Sequence, residues 1–256
     1  MITVHDILKK LEEWAPLNLA VKDDPVGLQA GERFKSVRKV VISLDITKAV
    51  IAEAVAGGAD LIVTHHNIVR TYELRPTDET DAGGVLLALC RSGLASVAMH
   101  TNLDAAPGGI NDVMASLIGL NDVSVYDQKE GIGRIGTLPD PTDTQTFAKH
   151  CKEVFRSGVV RYHDAQKPVS RVAICSGGGG SLFFDGIKAG CDTFVTGDVG
   201  HHYFLTAANQ GVNLLDCGHF ATENIIVPVI ADFLQKAFPE LTVILSGEES
   251  EPFRCL

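Results

Sequence analysis

Two short segments constrain this chain more than anything else in it. Gly58-Ala59-Asp60-Leu61-Ile62-Val63-Thr64 and Gly190-Cys191-Asp192-Thr193-Phe194-Val195-Thr196 share one pattern: a glycine, a small residue, an aspartate, then a strand-like run. Their flanks match as well. KVVISLD upstream of the first corresponds to RVAICSG upstream of the second. Downstream, Ser92-Gly93-Leu94 leads to VAMHTNLD, and Gln210-Gly211-Val212 leads to LLDCGHFATE. The order of elements recurs once, at a spacing of roughly 132 residues, whereas a solenoid repeats more often and at shorter periods. The chain is therefore expected to hold two diverged copies of one ancestral unit.

Within each copy, short apolar runs alternate with helical segments, the signature of βαβ units. Helices are expected over 4–13, 47–57, 82–92, about 109–119 and 143–156. Strands are expected over 38–44, 59–64, 95–99, 132–138, 158–163 and 171–175. In the helix at 47–57 the apolar side is read as Val50, Ala54 and Val55. The predicted class is α/β: two related halves from an internal duplication, with mixed sheets flanked by helices. Residues 1–120 form the first half, 121–170 a connecting segment, and 171–256 a second half packing against the first.

Composition narrows the function. With 256 residues the chain can bury a substantial core. Its net charge of −10 leaves no basic surplus to neutralise a nucleic-acid backbone, so nucleic acid is not an expected partner. Charges interrupt the N-terminal MITVHDILKKLEEW, so no signal peptide is read there. No apolar stretch is long enough for a membrane span. A cytoplasmic protein is expected. The six cysteines form no CxxC pair, which argues against a zinc knuckle or a disulfide framework.

In open α/β sheets, ligands sit beyond the carboxyl ends of the strands. The residues falling there are Asp45, the pair His65-His66, His100 and Asp104, the glycines Gly177–Gly180, Gly197-Asp198, and Gly218-His219. Nearly every side-chain type that binds metals follows an apolar strand. His65-His66 stands where the chain turns, so two neighbours can address two nearby ions. His219 and Glu223, placed at the start of the last long helix, lie about 40° apart on one face. Asp104 adds a carboxylate, although an N-cap or turn role would also account for it. Three imidazoles and two carboxylates suit Zn, Fe, Mn, Co or Ni. Five ligands are too many for one closed tetrahedral site and fit two ions with open positions. The glycine run could cradle an anion or simply make a tight turn. His201 and Asp198 are candidate proton-moving catalytic residues.

The blocks VGLQAG (26–31), ADLIVTHHN (59–67), HTNLDAAPGGIND (100–112), TGDVGHH (196–202) and GHFATE (218–223) resemble the Nif-three-like family, whose members carry the name GTP cyclohydrolase 1 type 2. The blocks span almost the whole chain, in the family's order. The resemblance implies an α/β fold of two related halves, a ring-shaped homohexamer, and two divalent ions on His65, His66, Asp104, His219 and Glu223, with Glu223 as the bridge. It implies GTP as substrate, opened at C8 of guanine with loss of formate. Another metal-dependent nucleotide or phosphoester hydrolase, or a non-catalytic metal-binding scaffold, fits the same residues. One departure is local. The family reads WDNVGL where this chain has Lys22-Asp23-Asp24-Pro25-Val26-Gly27-Leu28, and the change is expected to bear on substrate contacts or loop shape.

Overall fold

The apolar runs become buried parallel strands. In the computed structural model, which describes residues 1–69 and 74–255, the chain divides into two units: Met1–Ala106 with Ile226–Ser250, and Pro107–Ile225 with Glu251–Leu256.

The first unit begins with α1 (Val4–Trp14), β1 (Gly27–Ala30), β2 (Lys39–Ser43), α2 (Lys48–Ala56) and β3 (Leu61–Thr64). It continues through α3 (Asp81–Ser92), β4 (Ala95–Ala98) and the short α4 (Thr101–Ala105). The second unit holds α5 (Ile110–Leu117), β5 (Asn121–Val125), β6 (Arg134–Thr142), α6 (Thr144–Val154), β7 (Arg161–His163) and β8 (Val169–Ile174). After them come α7 (Phe183–Lys188), β9 (Thr193–Thr196), α8 (His201–Gln210), β10 (Asn213–Asp216) and α9 (His219–Glu223). The chain then returns to the first unit with α10 (Val227–Ala237) and β11 (Thr242–Leu245).

The first sheet runs β1-β4-β3-β2-β11, with only β1 antiparallel to its neighbour. All four residues of β3 and of β4 are buried, as expected where helices cover both faces of a parallel sheet. Val41 and Ile62 pack with Val50, Ile51 and Ala54 of α2 and with Leu86 and Leu89 of α3. Burying side chains of this size contributes about 1.5–3 kcal/mol each. Val55, expected on the apolar side of α2, is exposed, and Ile51 takes its place. Thr47 and Thr80 cap α2 and α3 by accepting from Val50 N–H and Gly83 N–H, each worth about 1 kcal/mol.

The second sheet runs β5-β6-β8-β9-β10-β7; β8, β9 and β10 are parallel and the other pairings antiparallel. Residues 121–170, expected to connect the halves, thus supply β5, β6 and β7 and the start of β8. The contacts divide the chain near Ala106 rather than near 120. Both sheets are mixed and flanked by helices, as the sequence pattern predicts.

The duplication is visible in the hydrogen bonds. The Asp60 carboxylate accepts from the backbone N–H of Arg38 and Lys39, and the Asp192 carboxylate does the same for Ser170 and Arg171. Gly58 and Gly190 both hold positive φ, at 64° and 86°. Met99 N–H donates to Thr64 O, and Cys217 N–H to Thr196 O. Up to β3 and β9 the copies keep the Gly58/Gly190 spacing. Beyond that the second runs shorter, because 65–94 in the first corresponds to 197–212. In this register α4 and α9 are the same element.

Candidate metal centre

In the first unit the chain leaves β3 at Thr64 and turns through His65 and His66. Backbone bonds hold the turn: His66 N–H donates to Leu44 O at 2.9 Å, and Thr64 Oγ1 donates to His66 O at 2.7 Å. His65 is fully buried, with Nδ1 2.8 Å from Met99 O. A carbonyl only accepts, so Nδ1 carries the hydrogen and Nε2 the lone pair. Nε2 lies 3.6 Å from Oδ1 of Asp104, a buried carboxylate on α4. His66 Nδ1 lies 2.8 Å from Asp45 Oδ1, and His100 Nδ1 lies 2.9 Å from Asp24 Oδ2. One ring nitrogen of each of His65, His66 and His100 falls within 4.8 Å of the others.

Two further carboxylates shape these loops. Burial alone would raise the pKa of Asp24, but bonds from His100 and Thr101 outweigh it and hold the group at about 2. Glu249, after β11, accepts from Leu44 N–H and, at 2.9 Å, from Asp45 N–H. Burial, with Asp45 close by, pushes its pKa up to about 7.

In the second unit the same two places bear different residues. Asp198 follows β9, and His219 opens α9 with Nδ1 3.1 Å from Asp198 Oδ2. One turn on, the buried Glu223 brings Oε2 within 3.0 Å of His219 Nε2. The expected start of the last long helix is therefore a separate five-residue helix, followed by a 3-10 turn before α10. Asp216 ties the loops together. Its carboxylate accepts from the N–H of Asp198, Val199 and Gly218 and pairs with the Arg161 guanidinium.

Within the glycine run, Gly177 and Gly179 stand where a side chain would collide, whereas a Cβ at Gly178 meets nothing within 4 Å. At Gly177, φ is +56°, and a Cβ would lie 1.9 Å from Glu223 Oε1 and 3.1 Å from His219 Nε2. At Gly179 a Cβ would lie 2.4 Å from that of Cys175. The N–H of Gly177 donates to Thr222 Oγ1, and that of Gly179 to Thr196 Oγ1, so both amides serve the turn.

The ligand chemistry fits divalent ions within each unit. Every imidazole named has its Nδ1 against an oxygen behind it, the arrangement that fixes the ring of a metal-binding histidine. The missing Cβ of Gly177 makes room for a carboxylate beside an imidazole. Of the two candidate proton movers, Asp198 is engaged with His219, while His201 lies exposed at the first position of α8, its ring 5.7 Å from that of His202. The sequence reading places Asp45 among the strand-end residues without giving it an orienting role, and it singles out none of Asp24, Asp216 and Glu249. Asp45 carried a signal, since it follows β2 at a strand's carboxyl end. Aligned on Val26-Gly27-Leu28, Asp24 keeps the aspartate of the family pattern, and the departures fall on its neighbours Asp23 and Pro25.

A family model described as Duf34/NIF3 (NGG1p interacting factor 3) matches residues 2–252. A Lactococcus lactis protein named GTP cyclohydrolase 1 type 2 homolog is 32% identical over 254 residues, covering 98% of each chain. A Schizosaccharomyces pombe protein named Protein NIF3 homolog is 29% identical, covering 83% of each. The crystal structure of a Bacillus cereus protein related to NIF3 superimposes with a TM-score of 0.92 at 21% identity, covering 100% of this chain and 99% of that one, and so shares the fold. Among the described residues, no helix is long and apolar enough to cross a membrane.

Proposed function

The chain belongs to the Duf34/NIF3 family, and from that premise we propose that it is a metal-dependent hydrolase holding two divalent ions on His65, His66, Asp104, His219 and Glu223. One observation carries the reading. Each of the three proposed imidazole ligands is locked by an oxygen at Nδ1, and each unit sets a buried carboxylate beside an imidazole. When bound, such ions lower the pKa of a coordinated water toward about 7.

The protein's own residues do the positioning. Met99 O, Asp45 and Asp198 fix the rings with Nε2 left as the ligand nitrogen. Asp104 and Glu223 supply the negative charge that offsets a divalent cation. The substrate is proposed to be GTP, attacked at C8 of guanine with loss of formate, by a cytoplasmic homohexamer. The relatives' names support this choice of substrate. Asp198 acts as the orienting partner of His219, and His201 is the residue proposed to meet substrate from the solvent side.

Metal-loaded protein is incubated with GTP, and formate and the oxidised fluorescent pterin are measured. Product above that of a His65→Ala/Glu223→Ala control supports the cyclohydrolase. Product equal to the control, with metal retained, overturns that activity. Turnover of another nucleotide or phosphoester would then preserve the hydrolase.

A further inference from the structure

Asp24 is a heavily engaged carboxylate beside the imidazoles of the first unit. Its side chain is only 10% exposed. Oδ1 accepts from Asn67 Nδ2 at 2.6 Å. Oδ2 accepts from His100 Nδ1 at 2.9 Å, from Thr101 N–H at 3.2 Å and from Thr101 Oγ1. These donors fix the carboxylate, and the carboxylate fixes the His100 ring. The arrangement repeats that of Asp45 behind His66.

The His100 ring lies with its centroid 5.3 Å from that of His65 and 5.6 Å from that of His66. With Nδ1 turned to Asp24, Nε2 is the nitrogen that carries the lone pair. The five-residue set proposed above leaves this imidazole without a role. A histidine that only faced solvent would have no use for a largely buried carboxylate that orients it toward two other imidazoles.

We infer that His100 is a third imidazole of the first unit's ion-binding set, beside His65 and His66, with Asp24 as its positioning residue. The inference rests on the metal-binding reading. It also sharpens the choice of ion. A third neutral nitrogen donor favours Zn, Co, Ni or Fe over Mg and Ca, which prefer all-oxygen sites.

The test uses the full chain, stripped of metal and titrated with Co²⁺ against a competing chelator. The visible absorption of the cobalt form reports its coordination. His100→Ala and His100→Gln should weaken cobalt binding about tenfold or more and shift the spectrum. Asp24→Asn should act in the same direction to a smaller extent, within the range of about 10–100-fold known for outer-shell partners. His150→Ala, at an exposed position on α6, should match wild type. A readout on the unmutated chain guards against variants that fail to fold. Bound metal should slow acylation of His100 by diethyl pyrocarbonate, mapped by peptide mass, about fivefold or more. Unchanged cobalt affinity and spectrum in His100→Gln, or an unchanged acylation rate, would overturn the inference while leaving the five-residue site intact. Wild-type protein that takes up no cobalt would overturn both.

Discussion

Replacing Gly177 with alanine tests whether the glycine run exists to accommodate the proposed ligands. Two effects should appear together. The first is backbone strain: at φ +56° a residue with a Cβ costs about 1–2 kcal/mol. In a chain of this length that lowers Tm by about 2–8 °C. The second is local. The new Cβ would lie 1.9 Å from Glu223 Oε1 and 2.8 Å from its carboxyl carbon, so the carboxylate must retreat by about 1 Å or more to reach ordinary contact. Metal–ligand distances tolerate only about 0.2 Å, so ion affinity should fall about 10–100-fold. Gly58 separates the two effects. It holds φ +64°, and a Cβ there meets nothing within 4 Å. Gly58→Ala should therefore show the Tm loss with metal affinity unchanged. The assays are thermal melts of metal-free protein and chelator-competed metal titrations of all three proteins. If Gly177→Ala binds metal as wild type does and melts with Gly58→Ala, the glycine is not there to make room for Glu223.

Asp45→Asn should reduce metal affinity about 10–100-fold with little loss of Tm, because the fold does not depend on the His66 orientation; equal loss of both would make Asp45 a structural residue. In metal-free protein Glu249, with its pKa raised from 4.5 to about 7, contributes stability that is fully present below pH 4.5 and is lost as pH rises through 7. Glu249→Gln keeps an acceptor for Leu44 and Asp45 N–H. It should flatten that decline by roughly 1–2 kcal/mol after allowance for solvent screening, measured as urea midpoints between pH 5 and 8.5. Asp24, held at about 2 against an ordinary 3.8, acts in the opposite direction: its stability is present above pH 3.8 and is lost as pH falls toward 2, so Asp24→Asn should soften the acid limb of the same profile. Native protein should show two fast thiols toward a disulfide reagent, Cys90 and Cys255, with Cys151, Cys175, Cys191 and Cys217 reacting only on unfolding. Hydrogen bonding with Cys151, together with burial, holds the Cys217 thiol well above the usual range.

What the sequence made legible follows from which forces act locally. β3, β4, β9 and β10 are short apolar runs bounded by glycine or polar residues, and all their residues are buried, so composition alone marks them. β5 is exposed along its whole length, and β6 carries Pro139 and Pro141, so neither reads as a complete strand. β11 owes its place to parallel pairing with β2, some two hundred residues upstream, and no local pattern encodes that return. The division of the chain was illegible for the same reason. The metal-binding side chains were legible because they cluster at strand ends. The pairing of orienting partner with imidazole was not: Asp45 stands at a strand end, but nothing local ties it to His66, and Asp24 and Asp216 reach His100 and the Asp198 loop from other segments of the chain.

The duplication accounts for what each copy keeps and what it changes. The loop after β3 and the short helix after β4 recur as the loop after β9 and the helix after β10. What is inherited is position, not residue type. In the first copy the loop bears His65 and His66, and the helix, with His100 at its N-cap, bears a carboxylate, Asp104. In the second the loop bears the carboxylate Asp198, and the helix bears both His219 and Glu223. The residue after the preceding strand follows suit, since Asp45 and Gly177 are equivalent in the register of the repeat. Asp45 supports His66 by presenting an oxygen, and Gly177 supports Glu223 by presenting no side chain at all. Gly177→Asp should therefore be more damaging to metal binding than Gly177→Ala, although it restores the residue its sister copy uses. The added carboxylate would enter space already filled by Glu223 and repel it. A Gly177→Asp protein that binds metal better than Gly177→Ala would show that the two strand-end positions remain interchangeable, and that the copies have diverged less in function than in sequence.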